Sequence, residues 1–139
     1  AKLAMARALG ADMTVNYRTS TDWAAEIRSA IGDCAVANVI DTVGATQFDD
    51  NVSLLAKGGQ LSAIGMLGSD FSWGREAEGV SVKPIAVGNR TQHEAMTAFI
   101  VAHRIRPIVD AVYDLERIRD AYRHLESGRF FGKVGLNLL

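Results

Sequence analysis

The sequence predicts an α/β protein in which a parallel sheet lies between two layers of helices. Short apolar segments alternate with segments that carry apolar residues at helical spacing along the 139 residues. One apolar segment, Ala35 to Asp41, is nearly continuous, which is typical of a strand covered on both faces. Strands that alternate with amphipathic helices are joined by right-handed crossovers, so we expect a three-layer sandwich with parallel strands.

Capping patterns and glycines give the element boundaries in the first half. Thr19 with Asp22, and Thr46 with Asp49, have the spacing of a capping box at a helix start. With the apolar periodicity, these signals predict a helix over 1–9 ended by Gly10, a strand over 13–17, a helix with Trp23, Ile27 and Ile31 on one face ended by Gly32, the strand over 35–41, a helix burying Phe48, Val52 and Leu55, a turn at 57–59 and a strand over 60–65.

The second half begins with a glycine-containing stretch, 66–79, that we expect to be a loop. Residues 80–87 resume as extended chain, and Pro84 favours a position at a sheet edge because it cannot donate a ladder hydrogen bond. Thr91 with Glu94 forms another capping box. The remaining predictions are a helix with Met96, Phe99 and Ile100 inward that stops before Pro107, a strand over 109–113, a helix capped by Asp114 with Leu115, Ile118, Tyr122 and Leu125 on one face and ended by Gly128, and a strand over 133–138.

Composition excludes several classes of function. Fifteen basic and sixteen acidic residues give a net charge of -1 without a basic cluster, which argues against nucleic acid and anionic membrane surfaces as partners. No apolar run reaches the roughly 20 residues of a membrane span. The single cysteine, Cys34, fits a reducing compartment, so we expect a cytoplasmic protein.

Candidate catalytic and metal-ligating groups are few. The three histidines, at 93, 103 and 124, do not have metal-ligand spacing with each other or with Cys34, so no metal site is predicted. Neither a Gly-x-Ser-x-Gly elbow nor a P-loop is present. Asp41 lies at the end of a predicted strand and could be considered as a general base, but we name no catalytic residue in this chain.

Three predicted strands end in small residues. The stretch from Val36 to Gly44 is an apolar strand that ends in Asp-x-x-Gly before a helix, a pattern typical of a dinucleotide-binding sheet. Glycines also follow the next two strands, at 65–68 and at 88. Ligands of such sheets bind beyond the carboxyl ends of the strands, where glycine lets a cofactor approach the backbone. The alternative is that these glycines only terminate elements.

Four segments together carry a resemblance to a known family. They are Lys2 to Asp12 leading into Asn16-Tyr17-Arg18, Val39 to Gly44, Leu55 to Gly59 with Ile64-Gly65, and Glu126 to Val134. In order and spacing the chain resembles the cofactor domain of the medium-chain dehydrogenase/reductase superfamily, in its quinone-oxidoreductase-like and zinc-type alcohol-dehydrogenase-like members. The resemblance implies a Rossmann-type parallel sheet and an oxidoreductase that uses NADP(H) rather than NAD(H).

The resemblance also implies cofactor contacts at matching positions. Lys2 and Tyr17 stand where members that use NADPH hold the ribose phosphate, although a solvated lysine and a packed tyrosine are alternatives. Phe131, Gly132 and Lys133 match a closing segment near the nicotinamide, and Lys133 could also be a surface residue. The other implied contacts are Val43 and Gly44 along the adenosine, Gly65 and Met66 near the middle of the cofactor, and Val87, Gly88 and Asn89 facing the nicotinamide.

Departures from the family pattern shape the remaining expectations. The first strand of the cofactor sheet, its glycine-rich phosphate turn and the N-terminal catalytic domain do not occur in this sequence. We therefore expect a partial cofactor domain over 1–139 that is inactive alone, comes from a longer parent or pairs strands with a second copy, and forms a homo-oligomer.

In the parent, hydride would move to or from a small carbonyl, alcohol, quinone or enone substrate, and any zinc ligands would lie upstream. The alternative functions are a non-catalytic dinucleotide-binding module that acts as a sensor and an oligomerisation module.

Overall fold

The computed structural model describes residues 1–34, 36–66 and 74–138. The chain divides into two compact units, one comprising Ala1 and Leu3–Val87, the other Lys2 and the residues from Gly88 onward. The elements in order are α1 (Lys2–Ala8), α2 (Trp23–Ile31), β1 (Val36–Asp41), a 3-10 turn (Ala45–Gln47), α3 (Phe48–Leu54), β2 (Leu55–Ala63), β3 (Ser81–Pro84), α4 (Arg90–Ala102), β4 (Val109–Asp114), a 3-10 turn (Leu115–Arg117), α5 (Ile118–Glu126) and β5 (Lys133–Asn137).

The first unit is built on a three-stranded parallel sheet. Its strand order is β1-β2-β3, so β2 is central and β3, which contains Pro84, is an edge strand as predicted. Leu61 and Ala63 on β2 are completely buried, and Phe48 of α3 and Ala24 of α2 belong to the same core. Every strand pair in both units is parallel, which confirms the α/β class with a parallel sheet.

Two predictions about strands in this unit are wrong. Residues 13–17 do not form a strand, because a strand is defined by its ladder and none of the described strands pairs with this segment. Residues 57–59 lie within β2 instead of in a turn. The register shifts there, from Val36 opposite Leu55 to Asn38 opposite Gln60, so the two glycines form an irregularity inside the strand.

The helix caps are displaced from the predicted positions. Asp22 itself caps α2, accepting from the Ala25 amide at 2.7 Å, and Thr19 has no part in the cap. Asn89 and Gln92 form the capping box of α4 in place of Thr91 and Glu94. No side chain caps the start of α3. A capping residue directly precedes the first helical residue, because its side chain must reach the amide of the third helical residue. A small error in the predicted helix start therefore identifies the wrong capping residue.

Helix faces are covered less than the periodicity predicts. In α3 the buried residues are Phe48, Asn51 and Leu54, because Leu55 already begins β2. Ile40 on β1 is exposed, so within its unit this strand is not covered on both faces. The predicted inward residues of α4 and α5 that are exposed are Met96, Phe99, Leu115, Tyr122 and Leu125.

The second unit pairs β4 with β5 and packs α5 against both strands. Ala121 of α5 is its buried apolar residue among those described. A two-stranded sheet offers too little apolar surface to cover two helix faces, which explains the exposed side chains of α4 and α5.

Glycines end three helices as predicted, with Gly10 after α1, Gly32 after α2 and Gly128 after α5, all at positive φ. The predicted loop at 66–79 lies partly outside the described residues, since 67–73 are not among them, and 74–79 form neither helix nor strand. Across the described ranges, none of the helices combines the length and apolar character needed to span a membrane.

Candidate functional site

The carboxyl ends of β1, β2 and β3 lie level at one edge of the first sheet. Asp41 pairs with Ala63, and Ala63 pairs with Pro84, so the residues that follow each strand emerge side by side. We call this edge the strand-end site; it comprises residues 42–44, 64–66 and 85–87. Five of the predicted cofactor contacts belong to it, namely Val43, Gly44, Gly65, Met66 and Val87.

Asp41 gives the first loop of the strand-end site its shape. Its side chain is 4% exposed, and Oδ1 accepts hydrogen bonds from the amides of Val43 at 2.8 Å and Gly44 at 3.1 Å. The carbonyl of Asp41 accepts from the amides of Ile64 and Gly65, both at 2.9 Å. One residue therefore ties the loop after β1 to the loop after β2, an arrangement that fixes the backbone around both glycines.

Gly44 and Gly65 meet two different backbone requirements. Gly44 has a φ of 122°, which residues with a side chain rarely adopt. Gly65 lies directly against the backbone of Thr42 and Val43, and a Cβ at this position would overlap it. The two glycines therefore let the loops after β1 and β2 take this backbone path and pack directly against each other.

Apolar side chains form one wall of the strand-end site. Ile64, Met66, Ile85, Ala86 and Val87 line an open cleft of about 390 Å³. Val87 is 99% exposed, and Met66 is exposed as well. A cluster of exposed apolar side chains at the strand ends is a surface suited to the flat face of an aromatic ring.

Tyr17 lines a second cleft of the first unit, of about 240 Å³, together with Val15, Trp23, Ile27 and Gln47. Its side chain is 66% exposed, and its hydroxyl has no hydrogen-bond partner within the described part of the chain. The phenol is therefore available to a ligand, to which it can donate one directed hydrogen bond.

Lys2 groups with the second unit. Its ammonium donates to the carbonyl of Gly128 and lies 5.4 Å from the ring centroid of Phe130. The structure thus gives Lys2 protein partners of its own, at the carboxyl end of α5 where a cation is favoured by the helix dipole.

Gly88 and Asn89 stand at the start of α4. The Asn89 side chain accepts from the Gln92 amide at 3.0 Å, and the Asn89 amide donates to Gln92 Oε1 at 2.8 Å. A Cβ on Gly88 would meet the Gln92 side chain at 3.2 Å. These contacts organise the beginning of the helix and show a structural use for both residues.

The closing segment, 131–133, is fastened to the start of β4. The Phe131 amide donates to Asp110 Oδ1 at 3.1 Å, and the Lys133 amide donates to the Ile108 carbonyl at 2.9 Å. Gly132 has a φ of 92° and lies so close to Ile108 that a Cβ would overlap it. Asp110 and Ile108 were missed from the sequence, because partners about 20 residues apart on different elements leave no local pattern.

The residues that the structure describes do not gather three or more His, Cys, Asp or Glu side chains into a group that could hold a metal ion. The chemistry of the strand-end site is that of backbone amides, glycines and apolar side chains, which can bind and orient a ligand.

Comparison with known proteins agrees with this arrangement. A family model described as zinc-binding dehydrogenase matches residues 9–135. A zinc-type alcohol dehydrogenase-like protein of Schizosaccharomyces pombe is 28% identical over 145 residues, which cover 99% of this chain and 42% of that protein. Quinone oxidoreductase-like protein 2 of Rattus norvegicus is also 28% identical, with the same two coverages.

Solved structures show the same relationship. An NAD-dependent alcohol dehydrogenase superposes with a TM-score of 0.78 at 31% identity, over 99% of this chain and 41% of that one. The alcohol dehydrogenase of Aeropyrum pernix superposes with a TM-score of 0.73 at 26% identity, over 95% of this chain and 38% of that one. The chain spans about two fifths of the length of these relatives. The chain therefore belongs to the zinc-binding dehydrogenase family and corresponds to the C-terminal, cofactor-binding part of medium-chain dehydrogenases/reductases.

Proposed function

We propose that this chain is the cofactor-binding part of an NADP(H)-dependent oxidoreductase. The observation that carries the proposal is the strand-end site, where five predicted contact residues gather at the carboxyl ends of three parallel strands. Gly44 and Gly65 allow the backbone path of the two loops, along which the dinucleotide would lie. Family membership and the alcohol dehydrogenase and quinone oxidoreductase relatives support an oxidoreductase.

The binding roles follow from the chemistry of each residue. Val43 and Gly44 would lie along the adenosine, and Gly65 and Met66 near the middle of the cofactor. Val87, with Ile85 and Ala86, would cover the nicotinamide with an apolar surface that excludes water from it. Gly88, Asn89, Phe131, Gly132 and Lys133 are proposed as further contacts on the nicotinamide side. The bound cofactor would supply the hydride chemistry.

The preference for NADP(H) over NAD(H) rests on Tyr17. Its free phenol can donate to the 2′-phosphate of the adenosine ribose, which is absent from NAD(H). Lys2 is proposed as a further cofactor contact, and it would have to exchange its bond to Gly128 for a bond to the phosphate.

The substrate side of the reaction is assigned to the rest of a longer protein. The relatives are about 2.4 times as long as the part of them that aligns with this chain, which supports a separate N-terminal catalytic domain. We propose that this domain binds a carbonyl, alcohol, quinone or enone substrate and holds zinc if the parent uses it. The whole protein is proposed to be a cytoplasmic homo-oligomer.

Direct titration tests the proposal. NADPH and NADH are titrated into the full-length gene product, with cofactor fluorescence as the readout, for the wild type and Gly65→Val. We expect tighter binding of NADPH and loss of both cofactors in the variant. NADPH oxidation is then followed with a quinone and an enone. Cofactor binding without turnover would favour a non-catalytic sensor, and absence of binding would favour an oligomerisation module and overturn the proposal.

A further inference from the structure

Four groups in the second unit form a continuous hydrogen-bond chain. Tyr113 Oη lies 3.1 Å from His124 Nδ1, and His124 Nε2 lies 3.3 Å from Asp110 Oδ2. The other carboxylate oxygen of Asp110, Oδ1, accepts from the Phe131 amide at 3.1 Å. The His124 and Asp110 side chains are 22% and 26% exposed, so both are partly shielded from solvent.

Donors and acceptors match at every step of this hydrogen-bond chain. A neutral His124 that carries its proton on Nε2 donates to Asp110 and accepts from the Tyr113 hydroxyl at Nδ1. Each group then has a partner, and the carboxylate cannot rotate without breaking two hydrogen bonds. The ring of His124 also meets Tyr113 and Phe130 edge to face, with centroids 6.0 and 6.4 Å apart, which restricts the imidazole further.

The hydrogen-bond chain ends at the closing segment, which the proposed function takes to be a cofactor contact. Phe131 is the first residue of the closing segment, and Gly132 and Lys133 are held by Ile108 just beside it. Asp110 is the only side chain among the described residues that bonds the backbone of this segment. Asp110 therefore holds the Phe131 amide, while Ile108 holds the backbone of the two residues that follow.

We propose that Asp110 is a positioning residue for cofactor binding, oriented by His124 and Tyr113. Its carboxylate fixes the closing segment in the conformation that receives the nicotinamide side of the cofactor. This inference rests on the proposed function, because it takes the closing segment to be a cofactor contact. Neither Asp110 nor His124 touches the cofactor in this arrangement, so they are not catalytic residues.

Two substitutions of Asp110 separate the effect of its hydrogen bond to Phe131 from the effect of its negative charge. In the full-length protein, Asp110→Ala removes the acceptor, whereas Asp110→Asn keeps an oxygen for the Phe131 amide. Asp114→Ala, in the same strand and without a side-chain cap bond, is the matched control. Hydrogen-exchange mass spectrometry follows the peptide that contains Phe131, and NADPH affinity is measured by titration.

We expect Asp110→Ala to speed exchange of the Phe131 amide and to weaken NADPH binding, each by about tenfold, as loss of one bond to a charged acceptor implies. Asp110→Asn should restore both to within about threefold, and Asp114→Ala should change neither. His124→Gln, which leaves the carboxylate in place without its orienting ring, should produce a loss of about threefold.

Several outcomes would overturn the inference. Unchanged Phe131 exchange in Asp110→Ala would show that the hydrogen bond does not form. Faster exchange with unchanged NADPH affinity would show that the segment does not position the cofactor, while NADPH binding by the wild type would leave the proposed function intact. If Asp110→Ala does not fold, His124→Gln decides in the same way, and unchanged exchange and affinity in that variant would overturn the inference.

Discussion

Gly65 lies against the backbone of Val43, so close that the loops after β1 and β2 form one continuous surface. The carbonyl of Asp41 reinforces this contact, because it accepts the amides of Ile64 and Gly65 while the carboxylate holds the amides of Val43 and Gly44. Four hydrogen bonds and one close backbone contact thus set the strand-end site before any ligand arrives. Such preorganisation lowers the entropy lost on binding.

Substitution of Gly65 by alanine should damage both stability and cofactor binding. The added methyl group overlaps main-chain atoms, which cannot rotate away as a side chain can. We expect a loss of about 1–3 kcal/mol in the free energy of unfolding, typical of overpacking, and weaker NADPH binding. Urea denaturation and cofactor titration measure the two effects. Gly135→Ala is the control, since a Cβ there would meet its neighbours only at ordinary distances of 3.5 Å or more. Equal behaviour of the two variants would contradict the close approach at Gly65.

Asp41→Ala should destabilise the loop after β1. The substitution leaves the amides of Val43 and Gly44 without an acceptor inside the protein. A hydrogen bond to a charged group contributes about 1.5–3 kcal/mol to stability. We expect a loss of about 2–3 kcal/mol in the free energy of unfolding. Asp41→Asn should lose less, because one side-chain oxygen remains. Thermal and urea unfolding of the three proteins test the order, and an alanine variant as stable as the wild type would show that the carboxylate does not hold the loop.

The start of α4 offers a test of the observed cap against the predicted one. Asn89→Ala removes the capping box with Gln92 and should cost about 1 kcal/mol of stability, whereas Thr91→Ala should be close to neutral. Asn89→Ser keeps a capping oxygen. If Asn89 also contacts the cofactor, as proposed, the serine variant should retain stability but bind NADPH more weakly. Comparable losses in the alanine variants at 89 and 91 would place the cap elsewhere.

The sequence contained enough to predict the fold class, but not every element in it. Apolar periodicity identified β1, β2, α2 and α5, since these segments pack against neighbours that the chain itself supplies. It failed for residues 13–17, because a strand requires a partner and a sequence pattern cannot supply one. Gly58 and Gly59 suggested a turn, yet parallel pairing on both sides of them kept the chain within β2.

In the candidate site, too, local features could be predicted from the sequence and long-range contacts could not. The Asp-x-x-Gly pattern and the glycines after each strand are local, so Val43, Gly44 and Gly65 could be predicted to lie at the strand ends. The bond from Phe131, which precedes β5, to Asp110 on β4 joins residues 21 apart, and the contact of Lys2 with Gly128 spans 126 residues. Such partners become visible only when the fold brings them together.

Tyr17→Phe is the sharpest test of cofactor preference. The substitution removes only the hydroxyl, which is exposed and has no partner in the described part of the chain, so the fold should be unaffected. If the phenol donates to the ribose phosphate, NADPH affinity should fall by about tenfold or more while NADH affinity stays constant. Tyr122 is another exposed tyrosine, on α5, and Tyr122→Phe controls for removal of a phenol elsewhere. Equal weakening of both cofactors would mean that Tyr17 contacts a part that they share. Unchanged affinity for NADPH would show that Tyr17 does not contact the phosphate, and the proposed preference for NADPH would lose its basis.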